Sequence, residues 1–223
     1  MDSGCTYYRA RIGYDRCVKY FDIDGEPGNR EILVPHTGSE IAAPPPPKCT
    51  AGRLNRPGVS YLYLATDPET AVAEVRPHPG HLVSIGQFTL KRDIWVADLR
   101  ELDRTQFIDS DEMIEMFLFL HNVSKQLSMP VTPEEKNKYL LTQFFADIVR
   151  QSDFDGILYK SSVSEKGDNL VLFDPKLAEF VPSGSRLFKV EKVKYDMVPE
   201  KFDPEADYSD EGYVVYENGK WFF

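Results

Sequence analysis

Short strand-like segments lie on both sides of one central helical block, and this order constrains the fold most. The two helices of this block are predicted to run from Asp111 to about Leu127 and from the cap Thr132 to about Gln151. The strand segments are rich in β-branched and aromatic residues, which suit a pleated, half-buried surface. They are residues 6–12, 59–65, 81–90, 93–99, 157–159 and 170–173. This arrangement predicts a single mixed domain of the α+β class.

Local signals define the ends of several elements. Residues 132–135 read TPEE, in which Thr132 and Glu135 form a capping box and Pro133 suits the first helical position. Residues 22–58 are rich in loop-forming residues, and the prolines within residues 43–48 predict a stiff polyproline II connector.

The C-terminal part of the chain differs from the rest in composition. Residues 199–211 are acidic and contain prolines, which is typical of a surface linker. The segment YVVYENGKWFF then predicts a β-hairpin, because Asn218-Gly219 is a preferred hairpin turn. We therefore expect a main domain over residues 1–198, followed by an acidic linker and a hairpin tail over residues 199–223.

Charge and cysteine content limit the classes of function. The net charge of −10 argues against direct binding of nucleic acid or of an anionic membrane surface. The three cysteines lie outside any C-x-x-C pair, which indicates free thiols in a reducing compartment. No apolar run approaches the ~20 residues of a membrane span. We therefore expect a cytoplasmic protein with small ligands. Whether it forms a homo-oligomer stays open.

Residues 52–74, GRLNRPGVSYLYLATDPETAVAE, contain the densest group of candidate functional side chains. Turn-forming residues at 52–58 lead into the strand at 59–65. Asp67 then caps a helix that begins at Pro68, where the missing N–H costs nothing. This helix is expected to fold back against the strand. The side chains that could converge there are Arg53, Tyr63 and Glu74.

Familiar catalytic motifs are missing from the sequence. It contains no P-loop, G-x-G-x-x-G, G-x-S-x-G or H-E-x-x-H pattern. His78 and His81 are spaced three apart, but a zinc site needs at least three protein ligands, so we expect no metal. Ser161 and Ser162 follow a strand directly, yet no histidine is evident as their base, which disfavours a serine hydrolase.

Two interpretations of the remaining polar residues stay open on residue types alone. They can line a ligand pocket, or they can be structural, with Arg53 and Glu74 as an ion pair, Tyr63 in the core and Ser161 in a turn. The residues concerned are Arg9, Arg11, Arg53, Tyr63, Glu74, Ser161 and Asn169.

The segments that carry these residues resemble the RES-domain family, which supplies the toxins of RES–Xre toxin–antitoxin pairs. The matching pieces are YRAR at 8–11, GRLNRPG at 52–58, LYLA at 62–65, ETAVAE at 69–74, and DGILYKSS with GDNLVLFDP within 155–175. They occur in the family's order. The sequence departs from the pattern at Arg56, where proline is frequent.

The resemblance implies a fold similar to bacterial ADP-ribosyltransferase toxins and an enzyme that consumes NAD⁺. It implies an NAD⁺ glycohydrolase, with an Xre-like antitoxin as partner, NAD⁺ as substrate and no further cofactor. The alternatives are an ADP-ribosyltransferase acting on a protein target, or a non-catalytic module that binds NAD⁺ or a partner. The implied catalytic residues are Glu74, Arg53, Tyr63 and Ser161, and the implied NAD⁺-binding residues are Arg9, Arg11, Asn169 and Ser162.

The chemistry of NAD⁺ cleavage suits these residue types. Breaking the nicotinamide–ribose bond builds positive charge on the sugar, which a fixed carboxylate such as Glu74 stabilises. Arginines such as Arg9 and Arg53 can bind the two phosphates through bidentate, charge-assisted hydrogen bonds. Tyr63 offers a flat face for the nicotinamide ring.

Overall fold

A computed structural model defines residues 1–23, 26–129, 139–164, 166–194, 197, 215–217 and 220–222. The chain divides into two compact units, Met1–Val193 and Lys194–Phe223. The first unit combines a large sheet with three helices among its described residues, so the predicted α+β class is confirmed.

The first unit contains a seven-stranded sheet and a separate two-stranded hairpin. The strands are β1 (Thr6–Ile12), β2 (Asp15–Ile23), β3 (Glu26–Val34), β4 (Leu62–Ala65), β5 (Leu82–Leu90), β6 (Val96–Asp98), β7 (Gly156–Lys160), β8 (Asp168–Leu172) and β9 (Ala178–Lys189). The large sheet has the order β6-β7-β8-β4-β1-β5-β9, and its neighbours are antiparallel except for the parallel pair β6 and β7. β2 and β3 form the hairpin.

The described helices are α1 (Pro68–Glu74), α2 (Asp111–Ser128) and α3 (Leu140–Gln151). Asp67 caps α1 as predicted, because its side chain accepts a hydrogen bond from the Thr70 backbone N–H. The predicted capping box at residues 132–135 lies outside the described residues.

The two faces of the sheet pack against different parts of the chain. On one face, Leu62 and Leu64 of β4 and Leu170 of β8 join a core cluster with Phe88. On the other face, Val171 of β8 packs in a second cluster with buried residues of α2 and α3. β4 and β1 share a single register pair, Tyr8 with Ala65, in the middle of the sheet. Both strands contribute to the cavity described below.

Three regions differ from the sequence predictions. Residues 22–58 are predicted to be loop-rich, and after Val34 this range contains only two 3-10 turns, but Glu26–Val34 forms β3. β3 pairs with β2 in a long hairpin, in which Pro27 and Gly28 pair with residues of β2. β9 was not predicted, because Pro182 and Gly184 interrupt its strand pattern. The strand accommodates these two residues because it lies at the sheet edge and its pairing with β5 has a register shift. The proline run ends in a 3-10 turn at Pro46–Lys48.

The second unit contains one described structural element. β10 (Val215–Glu217) pairs antiparallel with β11 (Lys220–Phe222), which confirms the predicted C-terminal hairpin. Across the described part of both units, no helix has the length and apolar character needed to cross a membrane.

Candidate active site

Glu74, the last residue of α1, lies at the centre of a polar cluster. Its Oε1 accepts hydrogen bonds from Ser161 Oγ (2.8 Å) and from Asn169 Nδ2 (2.6 Å). Its Oε2 accepts no hydrogen bond from any described residue. One carboxylate oxygen is therefore held by two neutral donors, and the other is available to a ligand.

The loop after β7 brings Ser161 to this position. The Ser161 backbone N–H donates to the Gly167 carbonyl (3.2 Å), and Ser161 Oγ accepts from the Val163 N–H (3.2 Å). The loop also packs on the start of α1, where the Thr70 and Ser164 hydroxyls lie 2.9 Å apart. A Cβ at Gly167 would lie 2.0 Å from Thr70 Oγ1, so only glycine permits this close packing.

A cavity of about 350 Å³ lies beside this cluster. Its wall includes parts of β1, β4 and the loop between β3 and β4, together with Glu74 and Asn169. Its polar lining includes Arg9, Lys48, Asn55, Tyr63, Glu74 and Tyr159, together with Tyr8, Tyr61 and Asn169. Among the polar lining residues, tyrosines are the most frequent, with amides, one carboxylate and two cations.

Arg9 provides a half-buried cation inside this cavity. Its Nη1 donates to the Tyr63 carbonyl oxygen (3.0 Å), and it forms no ion pair with a described carboxylate. Burial lowers the pKa of Arg9, and the nearby charge of Arg11 adds to this effect. A guanidinium nevertheless stays protonated in proteins. Arg9 thus presents an unpaired positive charge that an anionic ligand would neutralise.

Tyr63 of β4 is held rigidly by its hydroxyl. The hydroxyl donates to Asn55 Oδ1 (2.8 Å) and accepts from the Leu54 N–H (3.2 Å). Burial is the main reason that the pKa of Tyr63 is raised, so the phenol is neutral. Gly52 allows this contact, because a Cβ there would lie 2.9 Å from the Tyr63 oxygen. Its hydroxyl is thus engaged by protein, and the residue lines the cavity.

Arg53 bonds to groups other than Glu74. Its guanidinium donates to the carbonyl oxygens of Leu127 and Met129 (2.8 Å for Met129) at the end of α2, and to Ser162 Oγ (2.8 Å). Arg53 and Glu74 form no ion pair in the described structure. The arginine instead joins the turn before β4 to the C-terminal carbonyls of α2, where a positive charge also complements the helix dipole.

The eight residues selected from the sequence thus fall into three groups. Arg9, Tyr63, Glu74 and Asn169 line the cavity, and Ser161 bonds to Glu74. Arg53 and Ser162 bond to each other outside its lining. Arg11 lies at the surface, where it pairs with Glu40 (3.0 Å). Their roles in catalysis and binding stay predictions.

Three polar lining residues, Asn55, Lys48 and Tyr159, are not among the candidates predicted from the sequence. Asn55 was identified only as a turn former, yet its amide also bonds to the carbonyls of Thr50, Arg56 and Val59. Lys48 was assigned to a surface connector. Tyr159 lies in a predicted strand and in the matching piece DGILYKSS, but the resemblance gives it no role. No local pattern indicates that the last two face the cavity, because that depends on how the loop and the sheet pack.

His78 and His81, the histidine pair considered above, lie in a turn. In this turn the His78 N–H donates to His81 Nδ1 (3.1 Å). The described residues contain no group of three His, Cys, Asp or Glu side chains arranged to hold an ion.

A family model of the RES domain matches residues 32–195, which is well over half of the chain. The match covers Glu74, Ser161 and Asn169, whereas Arg9 and Arg11 precede it. No curated protein matches the sequence.

Proposed function

Because this chain belongs to the RES-domain family, whose members are NAD-related modules associated with toxin–antitoxin systems, we propose that it is a toxin that cleaves the nicotinamide–ribose bond of NAD⁺. One observation carries this proposal. Ser161 and Asn169 hold one oxygen of Glu74, while the other oxygen has no described hydrogen-bond partner. The carboxylate borders a cavity that also contains the unpaired cation Arg9.

Glu74 stabilises the charge that develops during cleavage. As the bond lengthens, nicotinamide leaves with the bonding electron pair and becomes neutral, and positive charge develops on the ribose ring. The fixed carboxylate stabilises that charge and accepts a hydrogen bond from a ribose hydroxyl. Water then attacks the anomeric carbon and loses a proton, which gives ADP-ribose.

Ser161 and Asn169 orient the carboxylate for this step. Because both donors bind the same oxygen, they fix the direction of the second oxygen without adding a charge near the ribose. An electrostatic contact that is already oriented needs no reorganisation as the transition state forms. Both residues therefore act through Glu74.

The cations of the cavity suit the two phosphates of NAD⁺. Arg9 and Lys48 are the cationic side chains among the described residues that line the cavity. Lys48 ends the 3-10 turn, where its backbone N–H donates to the Pro45 carbonyl (2.8 Å), and no described carboxylate pairs with its ammonium. We assign phosphate binding to these two residues and stacking on the nicotinamide ring to Tyr63.

Arg53 contributes to this function by positioning other residues. Its bonds to α2 and to Ser162 hold the turn that contains Asn55, which orients Tyr63. Loss of these bonds would therefore change the cavity wall without removing a group that contacts substrate.

A partner protein is expected, because an unregulated NAD⁺ consumer would harm the cell that makes it. We assign this role to a small Xre-like antitoxin. A carboxylate of such a partner could enter the cavity, pair with Arg9 and Lys48, and exclude NAD⁺. Co-expression with the antitoxin should restore growth and suppress release of nicotinamide.

Controlled expression in bacteria tests the function. The wild-type protein should lower cellular NAD⁺ and stop growth, and the Glu74→Gln variant at the same expression level should do neither. Equal growth and equal NAD⁺ content in the two cultures would overturn the proposal. Transfer of ADP-ribose to a protein shares the first chemical step. With NAD⁺ labelled on its adenine, transfer would carry the label into protein, whereas hydrolysis would leave it in free ADP-ribose.

A further inference from the structure

Tyr159 is a deeply buried cavity residue that the mechanism above does not use. It lies on β7 with 3% of its surface exposed, and it lines the same cavity as Glu74. In the sheet it is the register partner of Asn169, one of the two residues that hold Glu74. Its side chain therefore lies beside the centre of the polar cluster.

The hydroxyl of Tyr159 lacks a protein partner among the described residues, whereas the hydroxyls of Tyr63 and Tyr7 each have one. The Tyr63 hydroxyl bonds to Asn55 and Leu54, and the Tyr7 hydroxyl contacts Met1 Sδ (3.8 Å). Tyr159 makes no hydrogen bond to any residue that the structure describes. Buried polar groups normally have a partner, because burying one without a partner costs free energy. The Tyr159 hydroxyl is not among the described side-chain atoms that are both fully enclosed and unpartnered, so it opens to the cavity, where a ligand that accepts a hydrogen bond can reach it.

The surroundings keep this hydroxyl neutral and able to donate. Burial raises the pKa of Tyr159 well above its ordinary value, and Tyr63 and the carboxylate of Glu74 raise it further, against an opposite effect of Arg53. The phenol therefore retains its proton at neutral pH. Its O–H can serve as a hydrogen-bond donor next to a group that accepts ribose hydroxyls.

We propose that Tyr159 is a substrate-binding residue whose hydroxyl donates a hydrogen bond to a ribose oxygen of the dinucleotide held at Glu74. This inference rests on the proposed function. Glu74 accepts from the sugar and Tyr159 donates to it, so the pair binds a hydroxylated ring from both sides. The ligand class is a ribosyl group, which offers both donors and acceptors.

The test is the Tyr159→Phe variant, which removes only the hydroxyl. A neutral hydrogen bond typically accounts for a change of roughly 3- to 10-fold in binding, so we expect KM for NAD⁺ to rise by that factor. The melting temperature of the ligand-free protein should not fall, because no described protein group loses a partner. Tyr7→Phe is the matched control, since Tyr7 is buried in the same sheet outside the cavity lining. Its KM should equal that of the wild type.

The outcomes separate this inference from the proposed function. If the wild-type protein cleaves NAD⁺ and Tyr159→Phe has an unchanged KM, the inference alone is overturned. A lower melting temperature with an unchanged KM would likewise assign Tyr159 to structure. If the wild-type protein neither binds nor cleaves NAD⁺, the proposed function fails, and this inference fails with it.

Discussion

Replacement of Glu74 by glutamine should abolish most NAD⁺ cleavage while the fold is retained. The variant keeps the volume of the side chain and an oxygen that can accept from Ser161 and Asn169, but it loses the negative charge. Loss of one fixed electrostatic contact of this kind costs ~10²–10³ in rate, or about 2.7–4 kcal/mol in the transition state. We expect kcat to fall by that factor.

The effect of this substitution on stability should be much smaller. Two charge-assisted hydrogen bonds become neutral ones, and each such change costs about 1 kcal/mol before solvent screening is considered. Glu74 is partly exposed, so a total loss of about 1 kcal/mol is expected. Chemical denaturation and chromatographic detection of nicotinamide measure the two quantities separately. Near-wild-type turnover in a folded variant would refute the role given to Glu74.

Three further substitutions test other parts of the site and fold. In Arg53→Lys, the lysine cannot reproduce the bonds to the end of α2 and to Ser162, so the affinity for NAD⁺ should fall several-fold. Calorimetry in the Glu74→Gln background measures this affinity, and equal affinity would show that these bonds do not shape the cavity. Lys48→Ala should raise KM for NAD⁺ and reduce its dependence on salt, and unchanged kinetics would remove Lys48 from phosphate binding. Arg92 forms an ion pair with Asp155 and lowers the pKa of Asp155 below the ordinary 3.8. Asp155→Asn should therefore lower the free energy of unfolding at pH 7. The difference in this free energy between variant and wild type should shrink as the pH falls below about 4. A difference in unfolding free energy that does not change with pH would contradict this ion pair.

The helix that ends at Glu74 could be predicted because its start is encoded locally. Asp67 and Pro68 are a recognisable cap and first residue, and the structure places both as expected. The convergence of Tyr63 and Glu74 followed from folding that helix back on its strand, and both side chains line one cavity. Local sequence signals were sufficient to predict this convergence, because Tyr63 and Glu74 are close in sequence.

The direction of Arg53 could not be predicted in this way. It lies in the same turn as residues that line the cavity, but its partners at the end of α2 are 74 and 76 residues away in sequence. A long side chain in a turn can point to several neighbours, and only the tertiary packing selects among them. The expected meeting of Arg53 with Glu74 assumed proximity in the chain.

Tyr159 and Lys48 illustrate the same limit for strands and connectors. Tyr159 lies in the strand segment ILY, where either face of the sheet is compatible with its apolar neighbours. Its side chain reaches the cavity because β7 pairs with β8 in a register that aligns it with Asn169. Lys48 follows a proline run that resembles any exposed connector, and only its tertiary position places it at the cavity.

The rate of nicotinamide release by the purified wild-type protein tests the central claim most directly. With NAD⁺ as the only substrate, the protein should release many molecules of nicotinamide per protein chain, and free ADP-ribose should appear in equal amount. The Glu74→Gln variant from a parallel preparation controls for contaminating enzymes. NAD⁺ that remains intact with the wild-type protein, at a concentration at which binding is saturated, would contradict the account.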